Sequence, residues 1–428
     1  MDKRFLQESG IGIFTGNEMI VKGALEGRVA LITGYPGSPV AEVWDTAERI
    51  RELLLDKGIL VQIGNNEALA AARLNGAQMQ DIRAMAVMKS VGAHVAADAL
   101  ALGNMAGTAP GGAAVAVFGD DTWSEGTQVP ADSRFIAKHL YMPVMEPSTF
   151  REIKDWVRVA FELSEKTRLY VAYLVTSNQA DGAGTVEVRP NLYPGLTFRA
   201  PVTIASRDIP VDDRVVIPPH TAEKEDEVLR KRFPDLLAAA RENNLNRILY
   251  RPDWGRKKIG FVTSSLAYCY LEHALNLLGL EGTIPILKYG VSYPLEREIL
   301  REFSALVEQI YVVEEKRPFL EEQVKAGLQD LHQAGEVGEY AVWGKRFPGG
   351  REGFPQSRGL NPSIVLRALA PILRDLEDPT VHVDRDRLDR DFRLGWHVGF
   401  GWQQLWRADP GHRAESEHRA HCDRIDHG

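Results

Sequence analysis

The chain has 428 residues, of which 44% are hydrophobic and 26% charged. These are the proportions of a folded protein with apolar mass for two or three cores, so disorder is excluded as its main state. Its 51 Lys and Arg against 59 Asp and Glu leave a formal charge of -8, so no bulk positive field draws phosphate backbones, and nucleic acid is not an expected partner. No run approaches the roughly 18 to 20 apolar residues of a membrane helix, and the start MDKRFLQESG carries no signal-like stretch; a cytoplasmic protein with no membrane association is expected. Two cysteines, Cys269 and Cys422, supply neither a disulfide framework nor the four thiolates of an iron–sulfur cluster.

From about residue 10 to 180, short apolar runs alternate with amphipathic stretches, the pattern of a parallel sheet covered by helices on both faces. Strands are expected at 29–33, 60–64, 84–89, 113–118, 143–146 and 169–175. Helical spacing marks 40–57, with Val43, Ala47, Ile50 and Leu54, and 150–165, with Ile153, Trp156, Val157, Ala160 and Phe161. Residues 181–255 are rich in proline and hold one charged helical pattern at 222–243, which reads as a linker with a helix laid on a neighbouring surface. The alternation restarts at 256–345 as a smaller α/β domain, with strands at 258–263, 283–287 and 309–314 and helices at 268–278, 295–306 and 319–332. A C-terminal extension is expected over 346–428. Its last 48 residues hold six of the eleven histidines, eight arginines and no lysine. His412, His418, His421 and Cys422 fit no standard metal spacing, and a solvated or partner-bound tail is the expected reading.

Ligands of doubly wound sheets bind at the carboxyl ends of strands, which directs attention to four turns. The first, Gly34-Tyr35-Pro36-Gly37-Ser38-Pro39, reads either as a rigid pocket wall or as a plain strand-to-helix turn. In the second, Gly64-Asn65-Asn66-Glu67 opens a small-residue helix; either asparagine caps it, and Glu67 then suits the helix dipole with or without a catalytic role. The third, Met88-Lys89-Ser90-Val91-Gly92-Ala93-His94, opens another small-residue helix, with Lys89 and His94 as the polar candidates and a surface lysine and a helix histidine as the plain readings. The fourth, Gly119 to Gln128, is rich in acids and hydroxyls and reads as a hard-cation loop or a solvated one. Asp132-Ser133-Arg134 follows at a helix start.

Together these segments resemble the pyrimidine-binding half of the thiamine diphosphate-dependent 2-oxoacid:acceptor oxidoreductases, the group that includes indolepyruvate ferredoxin oxidoreductase and phenylglyoxylate dehydrogenase subunits. The pieces, in family order, are Thr15-Gly16-Asn17-Glu18, GYPGSP at 34–39, NNEALAAARLNGAQ at 65–78, MKSVGAHVAAD at 88–98 and DSRFIAKHLYMPVMEPS at 132–148, then ILKYGVSYPL at 286–295 and VVEEKRPFLEEQV at 312–324. The resemblance implies a pyrimidine-type thiamine diphosphate-binding domain at 1–180 and a transketolase C-terminal-like domain at 256–345. It also implies that Glu67 hydrogen-bonds the aminopyrimidine and promotes its reactive tautomer. Tyr35, Pro36, Gly37, Asn66, Lys89, Ser90, Val91 and Gly92 are then expected beside the cofactor, and Ser38, Pro39 and His94 beside the substrate. Ser90 stands where the family often has a histidine.

No Gly-Asp-Gly followed some 25 to 30 residues later by Asn-Asn is present, so the resemblance implies partner subunits for the rest of the chemistry. These are a subunit carrying the diphosphate with its Mg2+, a gamma-type subunit, a ferredoxin-like subunit with 4Fe-4S clusters and, for a nicotinamide-linked acceptor, a flavin subunit. The expected reaction is oxidative decarboxylation of an aromatic 2-oxoacid to an acyl-coenzyme A and carbon dioxide, with the chain inactive alone and no metal held by it. A non-oxidative decarboxylase subunit and a noncatalytic scaffold are the alternatives.

Overall fold

The computed structural model describes residues 2–196, 214, 216–253, 255–378, 381, 383 and 384. Its strands in chain order are β1 (Ile11–Thr15), β2 (Leu31–Gly34), β3 (Leu60–Ile63), β4 (Arg83–Lys89), β5 (Ala113–Asp120), β6 (Val144–Met145), β7 (Val171–Thr176) and β8 (Ala183–Glu187). They continue as β9 (Arg247–Leu249), β10 (Lys257–Ser264), β11 (Ile286–Tyr289), β12 (Val291–Tyr293), β13 (Val307–Val313) and β14 (Ala341–Trp343).

The larger sheet has the order β12-β6-β7-β5-β4-β2-β3, parallel from β6 to β3. Every residue of β5 (AAVAVFGD) is buried, as expected of a central strand covered on both faces. The smaller sheet runs β14-β13-β10-β11-β9, parallel except for β9. The larger sheet borrows its edge: β12 leaves β11 of the smaller sheet and pairs antiparallel with β6, Val291 opposite Met145. β1 and β8 form a separate two-stranded antiparallel ribbon that apolar runs did not reveal.

Helix starts follow capping chemistry. Thr15 and Glu18 form a reciprocal capping box for Gly16–Glu26, and Thr149 with Glu152 does the same for the 18-residue helix Phe150–Thr167. The helix expected over 40–57 is two helices, Glu42–Arg49 and Arg51–Asp56, broken at Ile50 (φ -115, ψ 16). Ile50 stays in the core, so the apolar spacing survives a break that periodicity does not register.

Two other differences concern what the core contains. The 222–243 segment runs as His220–Glu227, a π-helical turn Val228–Arg232 and Phe233–Glu242; Val228, Phe233, Leu236 and Ala239 enter the larger core. Arg232 is fully buried there and bonds Glu227 at 2.8 Å and the Asn104 carbonyl at 3.2 Å. Residues 346–374, expected to begin an extension, instead complete the smaller core with Phe347, Phe354 and Leu360 and the helix Pro362–Arg374, which packs on Ser265–Leu277. Pro362 stands in the first helical turn, a favoured position for proline, and so suits the start of this helix. His412, His418, His421 and Cys422 lie outside the described residues.

Candidate active site at the carboxyl end of the larger sheet

Strands β2, β3 and β4 are neighbours, so the turns leaving them emerge side by side. Gly34 ends β2 with φ +149, and a Cβ there would lie 1.9 Å from the Val87 carbonyl oxygen, so the approach of β2 to β4 requires glycine. Tyr35 then donates its N–H to that same carbonyl at 3.1 Å, and the Gly64 N–H reaches the Gly34 oxygen at 2.8 Å. Ser38-Pro39 is a cis peptide, and the buried Asn17 amide donates to the Pro39 carbonyl at 3.0 Å.

Three of the four turns meet through their side chains. A Cβ on Gly37 would sit 2.6 Å from Cδ of Lys89, so the lysine stem lies across the Gly34–Pro39 turn. A Cβ on Gly92 would sit 2.6 Å from both Cγ and Oε1 of Glu67, so the glutamate lies flat on the Gly92 backbone. Glu67 is the first residue of helix Glu67–Ala77, whose cap is Asn66, with Oδ1 accepting the Leu69 N–H at 2.9 Å. The Glu67 side chain is half-buried and, among the described residues, accepts no hydrogen bond and joins no ion pair. A carboxylate held against backbone, beside the N–H end of a helix and left without a partner, is equipped to bond something outside the chain.

The remaining expected residues divide by exposure. Lys89, Val91 and Gly37 are half-buried, Ser90, Gly92 and Pro39 are buried, and Tyr35, Pro36, Ser38, Asn66 and His94 are exposed. Ser90 is the first residue of its helix, Ser90–Val95, which puts His94 one turn along it; His94 is nevertheless directed to solvent. In the acidic loop Asp121 accepts the Gly126 N–H at 2.6 Å, and Asp120 binds both the backbone N–H (2.8 Å) and the hydroxyl of Ser133. Those carboxylates serve the fold, and no group of three His, Cys, Asp or Glu suited to a metal ion occurs among the described residues.

Residue-type reasoning missed a second polar group, deep between the sheets. The guanidinium of Arg134 forks onto Asp132 at 2.8 and 2.7 Å, and it also reaches Glu314 at 2.9 Å and the Glu315 carbonyl at 2.8 Å. Burial pushes the Asp120 and Glu315 carboxyls each up to about 7, with the charge of Asp132 adding to the shift at Asp120. The sequence signals were present, as DSR at 132–134 and EEK at 314–316, but only the folded chain joins them.

Against this geometry, known proteins supply a family. A model described as the indolepyruvate oxidoreductase domain matches residues 252–390. Indolepyruvate oxidoreductase subunit IorA of Archaeoglobus fulgidus is 31% identical over 352 residues, covering 81% of this chain and 54% of that protein. The IorA subunit of Thermococcus kodakarensis is 31% identical over 319 residues, or 74% of this chain and 47% of the relative. The chain belongs to the indolepyruvate oxidoreductase family. It spans about half the length of the curated relatives it matches. Among solved structures, a 2-oxoglutarate:ferredoxin oxidoreductase from Magnetococcus marinus, holding 2-oxoglutarate, coenzyme A and succinyl-CoA, shares its fold. The TM-score is 0.55 at 14% identity, over 89% of this chain and 65% of that one. The chain thus shares its α/β architecture with that enzyme. No helix among its described residues is long and apolar enough to cross a membrane.

Proposed function

We propose that the chain is the pyrimidine-side subunit of a heteromeric oxidoreductase that oxidatively decarboxylates an aromatic 2-oxoacid to its acyl-coenzyme A. The observation that carries this reading is the Glu67 carboxylate, laid on Gly92 at the carboxyl end of a parallel sheet and unpartnered within the chain. The residues present fit the aminopyrimidine of thiamine diphosphate: a carboxylate to hold a proton against a ring nitrogen, with glycine at Gly37 and Gly92 letting the Lys89 stem and Glu67 lie close on the backbone that positions them. When bound, that cofactor supplies the electron sink for loss of carbon dioxide.

In this reading Glu67 orients the ring and holds the proton at Oε, while Lys89 and the Tyr35–Pro39 turn form the wall toward the substrate. Tyr35, Ile63, Leu69, Val95 and Leu102 are exposed apolar side chains on or beside the elements that carry these turns. They give a diphosphate-carrying partner subunit an apolar rim to cover, which would exclude water from the carboxylate. Mg2+ and 4Fe-4S clusters are assigned to partners, the gamma-type and ferredoxin-like subunits among them, with a flavin subunit where the acceptor is a nicotinamide.

The test is reconstitution. The chain purified with its copurifying subunits should reduce a viologen dye when given an aromatic 2-oxoacid, coenzyme A and thiamine diphosphate, and the chain alone should not. Free aldehyde without dye reduction would instead identify a non-oxidative decarboxylase. A finer test is Gly92→Ala: its methyl would displace Glu67, and displacement of a reacting group by about 1 Å costs on the order of 10²-fold in rate. Turnover should fall by about that factor with the melting temperature nearly unchanged. Undiminished turnover in Gly92→Ala would count against the placement of Glu67.

A further inference from the structure

Residues at the carboxyl ends of β5, β6 and β7 in one sheet, and of β10 and β13 in the other, line a single cavity of about 30 Å³. It has room for about one water molecule. Glu146 follows β6 and Glu315 follows β13, so each sheet contributes one acid. The two are 4% and 7% exposed, and in each the Oε2 oxygen is buried with no hydrogen-bond partner. Oε1 of Glu315 accepts the Leu360 N–H at 2.8 Å, and Glu146 stands beside the hydroxyls of Ser264 and Ser292.

No charged neighbour among the described residues hydrogen-bonds these two oxygens. Arg134 is bound to Asp132 and Glu314, and the Lys345 ammonium donates to the carbonyls of Glu314 (2.7 Å) and Pro355 (3.3 Å). Asp120 is held by Ser133, Lys316 lines the cavity, and Tyr270 feels the charge of Glu315. Two buried carboxylates facing one cavity with room for about one water are costly to keep ionised together, since burial raises Glu315 and the charge of Glu146 itself adds to this, and a proton on either relieves the repulsion.

We propose that the junction between the sheets closes fully only while Glu146 or Glu315 carries a proton, which makes the seating of the smaller unit on the larger a pH-sensitive latch. The shifts agree in direction: burial pushes Glu315 up to about 7 and raises Glu146 as well. A carboxyl raised in the folded state adds stability that is complete below its ordinary value of 4.5 and is lost as pH rises through about 7. Asp120, also pushed up to about 7, acts in the same direction. Lys345, which burial lowers from 10.5 to about 8, acts in the opposite direction and in a separate window, from about 8 to 10.5.

Hydrogen exchange of the full chain, followed from about pH 5 to 9 over residues 286–293 and 312–320 and corrected for intrinsic rates, tests the latch. Protection should fall by up to about tenfold per pH unit between about pH 5 and 7, the slope for one linked proton, and level off above about pH 7, where the carboxyl is ionised in both states. Glu315→Gln and Glu146→Gln, each neutral at every pH, should flatten that slope, and Asp120→Asn should leave most of it in place. A flat profile in the unaltered chain would overturn the latch. So would an undiminished slope in both glutamine variants, or a slope removed by Asp120→Asn alone. Should Glu315→Gln fail to fold, the unaltered chain and Glu146→Gln still decide the matter.

Discussion

Replacing Glu67 by glutamine in the assembled complex should lower 2-oxoacid-dependent dye reduction about 10³-fold, inside the range that a positioned proton-transfer group contributes. Glutamine keeps the shape that lies on Gly92 and keeps the Asn66 cap, but it cannot hold and return a proton at the same oxygen. The loss should therefore appear in kcat, while assembly by size-exclusion chromatography stays intact. Thermal stability should drop by no more than a surface charge at a helix start provides, about 0.3–1 kcal/mol. Glu67→Asp, shorter by one methylene, should retain partial turnover, because the acid survives and only its reach is lost. Full turnover of Glu67→Gln would show that another group handles the proton and would remove the foundation of the proposed function.

The parallel strands were legible because their residues are buried on both faces: β4 and β5 are nearly continuous apolar runs, and the helix Phe150–Thr167 shows its 3.6-residue spacing with few exceptions. The turns around residues 34–39, 65–67 and 88–94 stood out for the glycines and prolines that such close packing needs. The contacts Gly37–Lys89 and Gly92–Glu67 then join them in one place. What was illegible is long-range. Strand β12 has three residues, and nothing local says that it pairs with β6 rather than within the smaller sheet. Helix Pro362–Arg374 fell inside the segment expected as an extension, although Pro362 begins it and Pro371 is accommodated inside it. Asp132 read as a dipole-matched acid at a helix start, whereas its partner is Arg134, whose other partner Glu314 lies 180 positions away. Local chemistry explained the aspartate adequately and so concealed the network.

That network supports the largest stability prediction. Arg134 is 5% exposed, binds two carboxylates and a carbonyl, and packs over Phe319 with its guanidinium 5.2 Å from the ring centroid. Removing one partner of a buried ion cluster leaves charges that neither water nor protein compensates, which costs about 3–5 kcal/mol. Arg134→Ala should lose that much in urea unfolding at neutral pH, and the loss should concentrate where the two sheets meet. Lysine should recover little, because a single ammonium cannot fork onto Asp132 while also reaching Glu314 and the Glu315 carbonyl. Lowering the pH should narrow the gap between Arg134→Ala and the parent, since burial raises the Glu314 carboxyl and its protonation removes a charge that the arginine had balanced. The double variant Arg134→Ala with Asp132→Asn should lose less than the sum of the singles, as expected for residues that neutralise each other. Strict additivity, or an arginine deletion costing under about 1 kcal/mol, would mean that the cluster is hydrated like a surface pair and that the junction is held by its apolar contacts.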